Sequence, residues 1–177
     1  MTTATLGSDD LAMLPMRVAV GQLRELTEEQ LAFAVQIGAE DVQLNTPDLP
    51  GEERWEYEDL KALRERANGA GLRLIALENV PVRFYDQIML NGPERERQME
   101  NMIATVRNMG KAGIPILGYH WMPNGVWRTF RETKVRGGAI SNEFRYEQVK
   151  DAPYTHGRLY TAEEMWVNSC LGIVSEG

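Results

Sequence analysis

The 177-residue sequence has little of what several classes of protein require. Its single cysteine, Cys170, excludes a disulfide within the chain and fits a reducing compartment. No apolar run approaches the roughly 18 residues of a membrane-spanning helix. A formal net charge of −7 argues against the basic surface that nucleic acids or anionic membranes would need. We therefore predict a soluble, cytoplasmic protein with neither a nucleic-acid partner nor a membrane partner.

The motifs that identify common catalytic and cofactor sites are also missing. The sequence has no phosphate-binding loop, no glycine-rich dinucleotide fingerprint and no zinc-type pair of cysteines or histidines. His120, His156 and Cys170 are the only candidates for soft metal ligands, and their spacing matches no standard site. We therefore predict that this chain forms no metal site by itself.

What the sequence does contain is a repeat of short apolar strands and amphipathic helices that begins at Met16. Four strands are predicted, at residues 16–20, 41–45, 72–78 and 114–121. Four helices are predicted to begin near Thr27, Trp55, Pro93 and Thr161. Capping-box patterns stand at the first and the last of these starts. The third helix carries an apolar stripe, predicted to be buried, of Met99, Met102, Ile103, Val106 and Met109.

Alternating strands and helices predict an α/β fold with a parallel sheet. The loops after the strands are longer than those after the helices, and the last one covers residues 122–160. Because active sites of parallel α/β folds lie on the loops after the strands, the carboxyl end of the sheet is the expected working face. Four such units predict the amino-terminal half of a TIM barrel over residues 16–177, truncated after the fourth strand and its long loop. The first 15 residues are predicted to be a flexible tail, and an open doubly wound sheet is the alternative fold.

Polar and aromatic side chains collect at the predicted carboxyl ends of these strands. Glu78 and His120 are the candidate catalytic residues. The candidate substrate-binding residues are Asn45, Trp121, Trp127, Arg128 and His156. Amides and carboxylates bind sugar hydroxyls, a guanidinium binds a carboxylate, and an indole packs on the apolar face of a sugar. The set therefore predicts a sugar or sugar-acid site, although the tryptophans could instead be core residues and Glu78 a cap for the next loop.

Three segments of the chain resemble the mannonate dehydratases. They are Leu77-Glu-Asn-Val-Pro-Val82, the helix and turn over residues 98–114, and Tyr119-His-Trp-Met-Pro123 with Val126-Trp-Arg-Thr129. The resemblance implies a barrel like that of the xylose isomerases, in which D-mannonate is dehydrated to 2-keto-3-deoxy-D-gluconate during glucuronate catabolism. It also implies Mn²⁺ or Fe²⁺, bound by residues of the second half of the barrel. Two departures are His120, where the family often has Asn, and the residues after Asn168.

The resemblance implies that Glu78, His120 and the loop of Trp127 and Arg128 position the substrate in a full-length hydro-lyase, and that this chain alone is inactive. One alternative is a sugar isomerase or epimerase of the same barrel group. Another is a non-enzymatic half-barrel that associates with a partner chain. Exposed strand edges at both sides of a half-barrel favour a homo-oligomer or association with a complementary half.

Overall fold

The structure, a computed structural model, describes residues 18–173. The chain divides into two compact units between His120 and Trp121. The predicted flexible tail, residues 1–15, lies outside the described residues. A single domain over residues 16–177 stays a prediction.

The first unit contains a four-stranded parallel sheet. Its strands are Ala19–Leu23 (β1), Asp41–Asn45 (β2), Arg73–Glu78 (β3) and Ile116–Gly118 (β4), in the spatial order β1-β2-β3-β4. In the register between β2 and β3, Leu44 lies opposite Leu77 and Asn45 opposite Glu78. A doubly wound sheet reverses its strand order at a switch point, and this sheet does not. The predicted parallel β/α repeat is therefore confirmed, and the doubly wound alternative is wrong.

Two of the predicted strands have different bounds in the structure. β1 runs over Ala19–Leu23 rather than 16–20, and residues 16 and 17 lie outside the described part of the chain. β4 is only Ile116–Gly118, although residues 114–121 were predicted. Pro115 has no N–H to donate to the ladder, and pairing with β3 stops at Gly118 because β3 itself ends at Glu78. His120 and Trp121 therefore follow the strand instead of lying within it.

The helices of the first unit are Glu28–Gln36 (α1), Tyr57–Gly69 (α2), Asp86–Leu90 (α3) and Arg95–Ala112 (α4). The capping box before α1 is confirmed: the Gln30 N–H donates to Thr27 Oγ1 at 3.2 Å, and the Thr27 N–H donates to Gln30 Oε1 at 3.1 Å. Gly113 follows α4 with a φ of 76°, a left-handed conformation that glycine adopts without strain. The three predicted helix starts in this unit are confirmed to within about two residues.

The buried face of α4 differs from the predicted apolar stripe. Val106 is half-exposed, and Met102 and Ile103 are partly exposed. The fully buried polar residue Thr105 accepts a hydrogen bond from the N–H of Trp55 at 3.4 Å, so α4 turns a polar side chain towards the segment before α2. Apolar periodicity alone cannot find such a face. The buried positions of α4 are Met99, Thr105, Met109 and Ala112.

The core of the first unit lies among these strands, helices and the loops after the strands. Its largest fully buried apolar side chains are Trp55, Phe84, Leu44, Leu60, Leu72 and Leu77. Trp55 and Phe84 meet edge to face with 6.0 Å between their ring centroids. At the amino end of the sheet, the buried Asp41 carboxylate accepts a hydrogen bond from Arg73 Nε at 2.7 Å. This ion pair fastens β2 to β3 at the end opposite the predicted working face.

The second unit contains structure where the sequence predicted only a long loop. Phe130–Lys134 (β5) and Ile140–Glu143 (β6) form an antiparallel pair, joined through Gly137 and Gly138, both with positive φ. The helix Ala162–Ile173 (α5) follows, and its predicted capping box is confirmed by the Glu164 N–H donating to Thr161 Oγ1 at 3.1 Å. Across residues 18–173, no helix is both long enough and apolar enough to cross a membrane.

Candidate functional site

One polar row crosses the open face of the first sheet near the carboxyl ends of its strands. Gln43 Nε2 donates a hydrogen bond of 2.8 Å to Glu78 Oε2, so these two side chains share one face. Glycines flank them on the outer strands: a Cβ added to Gly21 would lie 3.5 Å from Gln43 Cβ, and one added to Gly118 would lie 3.6 Å from Glu78 Cγ. Along a diagonal from β1 to β4, these positions are therefore Gly, Gln, Glu and Gly, and the two glycines leave room beside the two polar groups.

Glu78 is held at one oxygen and open at the other. Gln43 occupies Oε2, and no described residue donates a hydrogen bond to Oε1. The Glu78 carbonyl oxygen accepts the N–H of Thr46 at 2.8 Å, which fixes the backbone at the strand end. An ionised carboxylate offers acceptors only. Glu78 can therefore accept a hydrogen bond from a ligand hydroxyl while keeping a fixed orientation.

Asn45, predicted to bind substrate, lies opposite Glu78 in the register of β2 and β3. Its Oδ1 accepts a hydrogen bond of 2.9 Å from the hydroxyl of Thr46, which has a positive φ of 44°. The structure therefore brings Asn45 and Glu78 to the same strand ends. The amide nitrogen of Asn45 donates no hydrogen bond within the described part of the chain.

His120 lies beyond the end of β4 and bridges two residues of the loop after β3. One ring nitrogen, Nδ1, lies 2.8 Å from Asn79 Oδ1, and the other, Nε2, lies 2.9 Å from the hydroxyl of Tyr85. The rings of Tyr85 and His120 meet edge to face, with centroids 5.8 Å apart. Burial, with a smaller contribution from the negative charge of Asp86, raises the pKa of Tyr85 to about 12. Tyr85 is therefore a neutral phenol near pH 7.

The remaining predicted site residues lie in the second unit. Trp127 Nε1 donates to the Asn124 carbonyl at 3.1 Å and to Thr155 Oγ1 at 3.3 Å, which fixes the indole over its own loop. Arg128 is exposed, and its Nη1 donates to the Val126 carbonyl at 3.0 Å. Trp121 is partly exposed, and the exposed His156 meets the ring of Tyr160 edge to face at 6.2 Å.

Trp127 also lines a shallow cleft of about 340 Å³ within the second unit. Its other apolar walls include Phe144, Tyr146, Tyr154 and Leu159. Trp127, which is 40% exposed, is therefore a wall of an aromatic cleft and not a buried core residue, and its role in binding substrate stays a prediction.

Residues 18–173 contain no group of three histidine, cysteine, aspartate or glutamate side chains that could hold a metal ion. Both nitrogens of His120 already have partners, and a metal would have to displace Asn79 or Tyr85 to reach them. The side chain of Cys170 lies outside what the structure describes. The side chains present do not fit a divalent metal, since such an ion needs several converging ligands.

Two members of this site were missed by reasoning from the sequence. Gln43 is one polar residue inside an apolar strand, and its alternation with Asp41 and Asn45 was the available signal. Tyr85 left no local signal, because its partner His120 is 35 residues away and the contact exists only in the folded chain.

Comparison with known proteins agrees with this architecture. The sequence model of the family described as D-mannonate dehydratase (UxuA) matches residues 21–163. The mannonate dehydratase of Thermotoga maritima is 35% identical over 104 residues, which cover 58% of this chain and 28% of that protein. The mannonate dehydratase of Lactococcus lactis subsp. cremoris is 38% identical over 80 residues, covering 45% of this chain and 22% of the relative.

The fold has a counterpart among solved structures. The crystal structure of mannonate dehydratase from Streptococcus suis serotype 2 superposes with a TM-score of 0.73 and 22% identity, over 90% of this chain and 49% of that one. This likeness confirms the predicted half of a TIM-barrel-like fold. The chain thus spans about half the length of its structural neighbour and 28% of the length of the Thermotoga maritima relative. Because the family model covers most of the sequence, the chain belongs to the D-mannonate dehydratase family.

Proposed function

We propose that this chain supplies the substrate-positioning edge of a cytoplasmic hydro-lyase that dehydrates D-mannonate to 2-keto-3-deoxy-D-gluconate, a reaction of glucuronate catabolism. Membership of the D-mannonate dehydratase family supports the reaction class. The proposal rests on the placement of Glu78: its carboxylate is held by Gln43 and lies near two glycines on the open face of the sheet. Because the chain matches only part of the length of its relatives, we assign it only part of the active site.

The chemistry of a sugar acid fits this arrangement. Dehydration removes the proton at C2 and expels the C3 hydroxyl, which leaves as water once it gains a proton. A substrate with several hydroxyls must be held so that those two groups face the reacting atoms. Glu78 Oε1 is an open acceptor for one substrate hydroxyl, and the Asn45 amide offers a donor at the neighbouring strand end. The glycines at positions 21 and 118 leave space for the sugar chain between them.

The proposal gives the other predicted residues supporting roles. Trp127 would pack against an apolar face of the substrate, and Arg128 would pair with its carboxylate. Trp121 and His156 would be further substrate-binding residues. His120, at the strand ends, has both ring nitrogens hydrogen-bonded to other side chains, so it would support the site rather than contact the substrate.

The Mn²⁺ or Fe²⁺ implied by the family resemblance does not fit the side chains of residues 18–173, which contain no cluster of metal ligands. In the proposed function these residues position the substrate and hold no metal. When bound elsewhere in a complete enzyme, such an ion would polarise the substrate and make the C2 proton more acidic.

A second candidate is a half-barrel that works by association with a homologous copy or a complementary half. Within the described sheet, β1 pairs only with β2 and β4 only with β3, so each has one edge without a strand partner. Exposed edges of parallel sheets favour pairing with another chain. This candidate is compatible with the dehydratase proposal, because the associated half could supply the remaining groups.

The proposal is tested by fusing this chain to the part of the Thermotoga maritima relative that it does not match, and assaying the 2-keto product from D-mannonate. Glu78→Gln removes the carboxylate charge but keeps the shape, and we expect turnover to fall about 10²-fold or more. The matched control is Glu100→Gln, an exposed glutamate on α4, which should leave turnover unchanged.

Circular dichroism of each variant separates a loss of fold from a loss of chemistry. If folded Glu78→Gln turned over D-mannonate as fast as the parent, Glu78 would be a structural strand end and our assignment wrong. If the fusion protein fails to fold, the proposal can still be tested by titrating the 177-residue chain with D-mannonate and following the titration by NMR. Shifts at the Glu78 and Asn45 amides that saturate support the proposal, and a titration without shifts at either amide contradicts it.

A further inference from the structure

The two ring nitrogens of His120 have different roles that the structure fixes. Nδ1 faces the side-chain oxygen of Asn79 at 2.8 Å, and an amide oxygen can only accept a hydrogen bond. Nδ1 must therefore carry the proton and donate. That leaves Nε2 of the neutral ring as an acceptor, and the Tyr85 hydroxyl donates to it at 2.9 Å. His120 is thus held as the Nδ1–H tautomer, with neither nitrogen open to a ligand.

Tyr85 is itself rigidly held. Only 6% of its surface is exposed, and it lies between a 3-10 turn, Val82–Phe84, and α3. Gln98, on α4, fastens the backbone on both sides: Nε2 donates to the Arg83 carbonyl at 2.8 Å, and Oε1 accepts the N–H of Gln87 at 2.8 Å. The position of the Tyr85 hydroxyl is therefore set by the packing of α3 and α4 and not by His120.

Asn79 connects His120 to the candidate carboxylate. It follows Glu78 directly and has a positive φ of 63°, a left-handed conformation that asparagine tolerates better than most residues. Its N–H donates to the Gly118 carbonyl at 2.7 Å, and its side chain accepts from His120. Both its backbone and its side chain are therefore bound to the residues at the end of β4. Because Asn79 follows Glu78 directly, these two bonds help to set the orientation of the Glu78 side chain.

We propose that Tyr85 and His120 are positioning residues that act in series through Asn79 to hold the Glu78 carboxylate in place. His120 then acts on the substrate only through Glu78, rather than by touching it. The role of Glu78 in catalysis rests on the proposed function, whereas the series Tyr85, His120, Asn79 and Glu78 rests on the contacts alone.

The test uses NMR of the 177-residue chain labelled with ¹⁵N at histidine. His120 and His156 are its only histidines, so the spectrum contains two imidazoles, and His156 serves as an internal control. We expect His120 as the Nδ1–H tautomer in the parent protein. Asn79→Gly removes the side-chain oxygen that accepts from Nδ1, and the ratio of the Nδ1–H to the Nε2–H tautomer should fall about fivefold, the effect of losing one ordinary hydrogen bond.

Tyr119→Phe is the matched control, because Tyr119 is exposed and precedes His120 directly in the sequence. It should leave both imidazoles as they are. Asn79→Gly is expected to fold, since glycine adopts the positive φ of this position without strain. Tyr85→Phe removes the other partner of the ring, and His120 should stay the Nδ1–H tautomer in this variant because Asn79 Oδ1 can still only accept.

The transmission to Glu78 is measured at the side-chain amide of Gln43, which donates to Glu78. Its hydrogen exchange should speed up about fivefold or more in Tyr85→Phe and in Asn79→Gly, and not in Tyr119→Phe. The proposal is overturned if His120 keeps its tautomer preference in Asn79→Gly, if it loses that preference in Tyr85→Phe, or if the Gln43 amide is unaffected in both variants. None of these measurements uses substrate, so their failure would leave the dehydratase proposal standing, and an inactive fusion would leave this one standing.

Discussion

The two units of the chain differ in where they keep their apolar side chains. Within residues 18–169, every buried apolar side chain belongs to the first unit, including the fully buried Leu44, Trp55 and Leu77. In the second unit, large apolar side chains are exposed instead. They include Trp127, Phe130, Phe144, Tyr146, Tyr154 and Trp166. The candidate carboxylate and its supporting contacts therefore lie on the unit that has a core.

This difference shows how each unit is stabilised. Burial of apolar area contributes about 25 cal/mol per Å², so the first unit draws its stability from packing. The second unit has a two-stranded antiparallel pair, and such a pair is only marginally stable by itself in water. Its order depends more on local bonds, such as those that join Thr129 and Thr133 to Glu143. A site that must hold a group within a fraction of an ångström is better supported by the first kind of structure.

A matched pair of leucine substitutions tests this comparison with the largest expected effect. Leu77 is fully buried on β3, and Leu159 is 61% exposed in the second unit. Leu77→Ala should lower the free energy of unfolding by about 2–5 kcal/mol, because it leaves a cavity in a packed core. Leu159→Ala should change it by less than about 0.5 kcal/mol. Urea unfolding followed by circular dichroism measures both, and equal losses would show that the second unit has a core of its own.

Hydrogen exchange compares the two units within one unmodified molecule. β2 and β3 are hydrogen-bonded on both sides and carry buried side chains, whereas β5 and β6 pair only with each other and are mostly exposed. After correction for intrinsic rates, amides of β2 and β3 should exchange about 10²-fold more slowly, which corresponds to roughly 2.7 kcal/mol in opening free energy. Similar protection in both pairs would remove the distinction between a packed unit and a locally bonded one.

The same contrast explains how much of the molecule could be predicted from its sequence. The bounds of β2 and the starts of α1 and α5 follow from local signals: an apolar run after Gly38, and capping boxes at Thr27 and Thr161. The strand order follows from the repeat itself. Such features depend on residues near each other in the chain, and the sequence records them directly.

Features that depend on partners far away in the chain were missed. The fourth strand was predicted too long, because the apolar and aromatic run continues past Gly118 while its partner β3 has already ended. The bond between Tyr85 and His120 and the bond between Gln43 and Glu78 each join residues 35 positions apart. For β5 and β6 a local signal did exist, since Gly137-Gly138 stands between two runs with strand-forming residues. This hairpin signal lies within residues 122–160, which the repeat pattern predicted to be a loop.

The smallest expected effect concerns the stability of the second unit at low pH. The hydroxyl of Thr133 donates to Glu143 Oε2 at 2.6 Å, and this bond, together with one from Arg145, lowers the pKa of Glu143 below its usual 4.5. A carboxyl group whose pKa is lowered by folding stabilises the folded form above its unfolded pKa, and that contribution disappears as the pH falls through the folded pKa. Hydrogen-exchange protection of β5 and β6 should therefore weaken slightly as the pH is lowered from about 4.5. Glu143→Gln should remove this dependence, and Glu132→Gln, a neighbour on β5, should keep it. A pH dependence that survived in Glu143→Gln would mean that another group controls the acid stability of this pair.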